Sequence, residues 1–118
     1  MSQYSHLPIY NSSISCLKDL YKRVPKFAKQ YKYPLGGKLI EYNTKIITLI
    51  FEISNSRNKT ERIALVEKIE NNIDLLLIHV RICHELKQFG NEKSYLYVSE
   101  NLIDISNQAE RWKKYLAE

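Results

Sequence analysis

The sequence predicts an all-α protein folded as an antiparallel up-down four-helix bundle. Two observations carry the prediction: apolar residues recur at spacings of three and four along most of the chain, and short runs of turn or capping residues divide it into four such segments. A third sets the scale. At 118 residues the chain can build one core without metal or disulfide staples, so residues 1–118 are expected to be a single domain.

After Pro8, Ile14, Leu17, Tyr21 and Val24 make one apolar stripe, which predicts a first helix over about 9–25 that ends near Pro25. Residues 26 to 34 show no clean period, and Tyr33 precedes a proline, which disfavours helix. They are expected to form a connection. A second helix over about 35–54 should open at Pro34 or Leu35, because proline suits a first turn. Leu35, Leu39, Tyr42, Ile46, Leu49 or Ile50, and Ile53 supply its stripe. It stops at "SNSRNKTE", where Thr60 is the expected cap of the next helix.

That third helix should run over about 61–89, with Ile63, Val66, Ile69, Ile73, Leu76, Val80 and Cys83 in one stripe and Leu77, Ile78 and Ile82 widening it. A stripe this wide implies burial on more than one side. Gly90 is the expected C-cap. The fourth helix, about 92–116, carries Val98, Leu102, Ile105, Ala109, Trp112 and Leu116 as a heptad seam. The extra apolar width of the second and third helices would be exposed on a monomer, which predicts self-association.

The formal charge is +5, and it is unevenly placed. Through residue 45, Lys18, Lys22, Arg23, Lys26, Lys29, Lys32, Lys38 and Lys45 face only Asp19 and Glu41, a local +6 that leaves −1 for the remainder. Such a patch either attracts an anionic partner or is a solvated face. Cys16 and Cys83 match no paired-thiol spacing and read as buried, reduced thiols of a cytoplasmic protein. No window approaches the roughly 20 apolar residues of a membrane span, so no membrane partner is expected.

The segment "VPKFAKQYKYPLGGKL" concentrates the question of function. A nucleotide-binding P-loop needs a glycine five positions before its Gly-Lys pair, a hydroxyl residue after it and a strand before it. No glycine stands five before Gly37, and Leu39 replaces the hydroxyl residue. Gly36 and Gly37 instead read as close packing at a helix start. Lys26, Lys29, Lys32 and Lys38 interleave with Phe27, Tyr31 and Tyr33, a pattern in which lysines neutralise phosphates while aromatic faces stack unpaired bases. The plainer reading of the tyrosines is core edge.

His79 and Cys83 share a helical face, but no cluster supplies the missing ligands of a metal site, and no metal or cofactor is expected. With no evident pairing of nucleophile and base, the chain is expected to be non-enzymatic. Arg81 interrupts the most apolar stretch; it either pairs with Glu85 one turn on or faces an assembly's central space or an RNA groove. Arg111, Lys113 and Lys114 either complement the last helix's dipole or extend the basic surface, if their end lies beside the first connection.

"LPIY", the Pro25-Lys26 pair, "PLGGKL", "LLIHVRICHEL" and "DISNQAERWKKYL" resemble the accessory variability determinant (Avd) family of diversity-generating retroelements. That family belongs with the four-helix bundle proteins encoded in intervening sequences of 23S ribosomal RNA genes. The resemblance runs from Leu7 to Leu116. It implies a barrel-like homopentamer with a basic surface that associates with a reverse transcriptase and its template RNA and supports mutagenic cDNA synthesis without catalysing it. On this chain it implies roles for Arg81, for the helix opening at Leu35, Gly36 and Leu39, and for Trp112. Phosphate contact is expected first from Lys26, Lys29, Lys32, Lys38 and Arg81, then from Arg111, Lys113 and Lys114. A scaffolding bundle with no nucleic-acid role is the rival reading.

Overall fold

The computed structural model describes residues 3 to 118, and among them it contains helices and no strands. After a 3₁₀ turn at Gln3–His6, four long helices follow: α1 (Pro8–Arg23), α3 (Gly36–Asn55), α4 (Lys59–Glu85) and α5 (Glu92–Ala117), with a single helical turn, α2 (Lys29–Lys32), between the first two. Each long helix packs on two others, in the cyclic order α1, α3, α4, α5, which is the arrangement of a helical bundle. Short links at residues 56–58 and 86–91 reverse the chain direction between α3, α4 and α5.

The packing fixes two ends along a 44 Å long axis. At one, the link between α1 and α3 meets the link between α4 and α5, where Phe27 packs edge-on against Phe89. At the other, the start of α1 meets the end of α5, where Leu7 and Pro8 adjoin Trp112.

The core stripes of α4 and α5 lie where the sequence places them. Val66, Ile69, Ile73, Leu76, Val80 and Cys83 are buried, as are Val98, Leu102, Ile105, Ala109 and Leu116; Ile63 and Trp112 are half-buried at the edges. The stripe of α1 is displaced from its expected position. Ile9, Ser13, Cys16, Leu20 and Val24 point inward, while Ile14 and Leu17 flank the core and Tyr21 is exposed. Apolar spacing alone misled here because one of the inward positions is a serine. In α3, Asn43 is buried in place of the half-buried Tyr42, and its Nδ2 donates to the Ser13 carbonyl oxygen at 3.0 Å. This buried polar contact ties α1 to α3.

The helix ends also differ from expectation in informative ways. Asn58, not Thr60, caps α4: its Oδ1 accepts from the Glu61 backbone N–H at 2.9 Å. α4 ends at Glu85, short of Phe89, and Gly90 is not its cap. The left-handed residue that closes it is Lys87, at φ 62°. The Gln88 N–H reaches the Cys83 carbonyl and the Lys87 N–H reaches that of His84, the two bonds of a Schellman motif. Lysine stands where glycine is the usual occupant.

Candidate nucleic-acid interface

The connection after α1 is ordered by what it buries. Val24–Lys26 continue α1 as a 3₁₀ turn, and Phe27 and Ala28 then take extended backbone. That geometry turns Phe27 inward, where it is buried against Phe89. The freed Ala28 N–H donates to Gln88 Oε1 at 2.7 Å, while Gln88 Nε2 donates to the Leu86 carbonyl at 2.7 Å. One side chain thereby fastens the connection to the link between α4 and α5. Residues 29–32 then wind into α2, and Tyr33 keeps a right-handed helical backbone although a proline follows. The connection is therefore a ramp into α3 rather than an irregular loop.

Its lysines are unpaired: Lys26 and Lys29 are exposed and Lys32 is half-buried, and none of the three enters an ion pair among the described residues. Lys38 lies one turn into α3, 3.7 Å from Glu41 and 6.0 Å from the centre of the Tyr42 ring. Of the interleaved aromatics, Phe27 is consumed by the core and Tyr31 is half-buried, but Tyr33 is 83 % exposed.

The two glycines separate. A Cβ on Gly36 would collide with Val24 Cγ1, so Gly36 is a packing position, with a side chain rather than a backbone as the close neighbour. A Cβ on Gly37 would meet nothing within 4 Å, so the packing reading fails there.

The remaining predicted cations are not gathered with these lysines. Arg81 has 72 % of its side chain exposed and pairs with Glu85 at 3.2 Å, the plainer of its two readings. Arg111, Lys113 and Lys114 sit at the opposite end of the bundle, because α5 runs away from the connection; they do not extend its surface. Lys113 bridges α5 to α4, with Nζ donating to Glu70 Oε1 at 2.9 Å and Glu110 3.8 Å away. The Glu70 hydrogen bond pulls the Lys113 pKa up, against a lowering by desolvation.

His79 does not reach toward Cys83. Its Nδ1 lies 2.8 Å from the Leu75 carbonyl and its ring packs on Tyr42. Burial pushes the Cys83 thiol up to about 11, and burial followed by the Asp19 charge pushes Cys16 up to about 12. Neither is a thiolate at neutral pH. Among the described residues no three His, Cys, Asp or Glu side chains gather as for a metal ion. Among them too, no helix is long and apolar enough to cross a membrane.

Sequence reasoning missed three residues at this end: Arg23, Lys87 and Gln88. Arg23 donates from Nε to Asp19 Oδ2 at 2.7 Å and lies 5.5 Å from the centre of the Tyr97 ring. Together with Lys26, Lys87 and Gln88 it lines a groove between the two links. Extending α4 to Phe89 had placed Lys87 inside a helix. No family model matches the chain, and no curated protein matches it significantly.

Proposed function

We propose that this bundle is a non-catalytic RNA-binding accessory protein of a diversity-generating retroelement, acting in the cytoplasm with a reverse transcriptase in mutagenic cDNA synthesis. The observation that supports RNA binding is the connection itself: exposed Lys26 and Lys29 and half-buried Lys32 stand on a segment pinned by Phe27 and Gln88, with no carboxylate paired to them among the described residues. Lysines so placed neutralise phosphates and release counterions, giving salt-sensitive binding with little sequence preference. The retroelement role, the polymerase partner and a homopentamer rest on the family resemblance. Self-association is further supported by Phe51, Ile78, Leu96 and Ile103, which are large apolar residues left exposed.

The test is binding to structured RNA across a salt series, with oligomer mass recorded in the same buffer. Wild-type protein should bind with a steep salt dependence, and the triple variant Lys26→Glu, Lys29→Glu, Lys32→Glu should lose binding while keeping its helical content and melting temperature. Unchanged RNA affinity in that variant would sink the assignment. The exposed apolar residues also favour a second reading, a scaffolding bundle with no nucleic-acid role. An intact oligomer that binds no RNA at low salt would establish it in place of the first.

A further inference from the structure

The groove at the connection end has a composition that the proposed RNA surface does not require. It has a volume of about 590 Å³ and is lined by Arg23 from the end of α1, Lys26 and Ala28 from the connection, and the segment from Lys87 to Asn91 with Ser94. Three cations from three separate chain segments line it, and the one carboxylate paired to any of them, Asp19 on Arg23, is not among the lining residues. The volume is that of a small-ligand site, far too small for a duplex.

Two details describe how its cations are held. Arg23 is oriented by Asp19 through Nε and by the Tyr97 ring, and its terminal guanidinium nitrogens make no hydrogen bond among the described residues. Lys87 adopts φ 62°, a backbone region that L side chains other than asparagine and aspartate seldom occupy. A glycine would close α4 at less strain, yet the chain puts a cation there.

We propose that this groove holds a terminal phosphate monoester of an RNA, gripped by Arg23, Lys26 and Lys87. A terminal monoester carries close to two negative charges at neutral pH, whereas an internal phosphodiester carries one. Arg23, Lys26 and Lys87, less the charge of the Asp19 carboxylate paired to Arg23, leave about two positive charges at the groove, which favours the end of a strand over its middle. This inference rests on the RNA-binding reading, and it adds Arg23 and Lys87 to the residues that touch nucleic acid.

The experiment uses one single-stranded oligoribonucleotide in three forms, with a 5′-phosphate, a 3′-phosphate or hydroxyls at both ends, and measures affinity by fluorescence anisotropy. Adenosine monophosphate is titrated in parallel while the backbone amides of Lys87, Gln88 and Gly90 are followed by NMR. One phosphorylated form should bind about tenfold tighter than the hydroxyl form, as expected for gaining charge-assisted hydrogen bonds. Whichever form gains identifies the strand end. Lys87→Gly should erase that gain while melting at or above wild type, because glycine suits the left-handed position; Arg23→Gln should weaken it. Equal affinity for the three forms, with no amide shifts, would overturn the site and leave RNA binding standing. Amide shifts without binding of any RNA would instead overturn the RNA-binding function and leave a phosphate site.

Discussion

At the connection end of the bundle, Lys26, Lys29 and Lys32 ride on a short ramp anchored by Phe27 and the Gln88 clamp. At the far end, Lys113 is locked to Glu70 and Glu110, and the groove formed by Arg57, Lys59 and Arg62 includes Glu118 in its lining. Both ends are rich in cations. Pairing divides the cations within each end: Lys113 holds α5 to α4 while Arg111 and Lys114 enter no ion pair among the described residues, and Arg23 is paired to Asp19 while Lys26, Lys29 and Lys32 are not. Cation content alone therefore does not mark a binding surface; what a cation is already paired with decides whether it is available.

The sharpest way to break this comparison is to remove the anchor. Phe27 is buried and meets Phe89 edge-on with ring centres 5.7 Å apart. Phe27→Ala should cost about 3–5 kcal/mol, as for other buried aromatic truncations. Chemical denaturation gives the loss, and hydrogen exchange should show the amides of residues 28–35 opening first. A loss below about 1 kcal/mol would mean that the ramp is held by something else.

The adjoining glycines should respond with opposite signs. Gly36→Ala forces a methyl group into Val24, a stiff β-branched side chain, and should destabilise by about 1–3 kcal/mol. Gly37→Ala meets open space on a helix and should stabilise by up to about 1 kcal/mol. Thermal melts of the two variants, made side by side, test the split. Equal shifts would show that the Val24 contact does not constrain the opening of α3.

Charge reversal tests the ends as surfaces. Arg111→Glu with Lys114→Glu, at the far end, should weaken RNA binding only severalfold at low salt, through long-range field alone, and the effect should fade near physiological salt as screening shortens its reach to about 8 Å. A loss as deep as that of the connection variant would show that the two ends act as one surface.

How much of this was legible in the sequence follows from what carries each feature. The α4 and α5 stripes could be read because every inward position is apolar. The α1 stripe could not, because Ser13 occupies a core position and Asn43 supplies the matching polar group from α3. The lysines of the connection were legible as charge, and their freedom from carboxylates was not, since pairing depends on which helices meet. Of the two readings of Arg111, Lys113 and Lys114, the one that extends the basic surface fails, because the fourth helix carries its C-terminus to the other end. Lys87 was hidden because a Schellman turn without glycine leaves no sequence mark.

The smallest expected effect separates the two uses of a lysine. The Glu70 hydrogen bond raises the Lys113 pKa above the ordinary 10.5. A lysine whose folded pKa lies above its unfolded value contributes its full stabilisation below the unfolded value and loses it as pH climbs through the folded one. The difference in Tm between wild type and Lys113→Met should therefore stay level from neutral pH to about 10 and narrow beyond it. RNA affinity should be nearly unchanged, since Lys113 is already committed to carboxylates. Lys29→Met should do the reverse, lowering affinity with little change in Tm, because its side chain is exposed and holds no ion pair among the described residues. If both variants lost affinity to the same degree, pairing would not be what distinguishes the two lysines, and the unpaired lysines of the connection would have no special claim on phosphate.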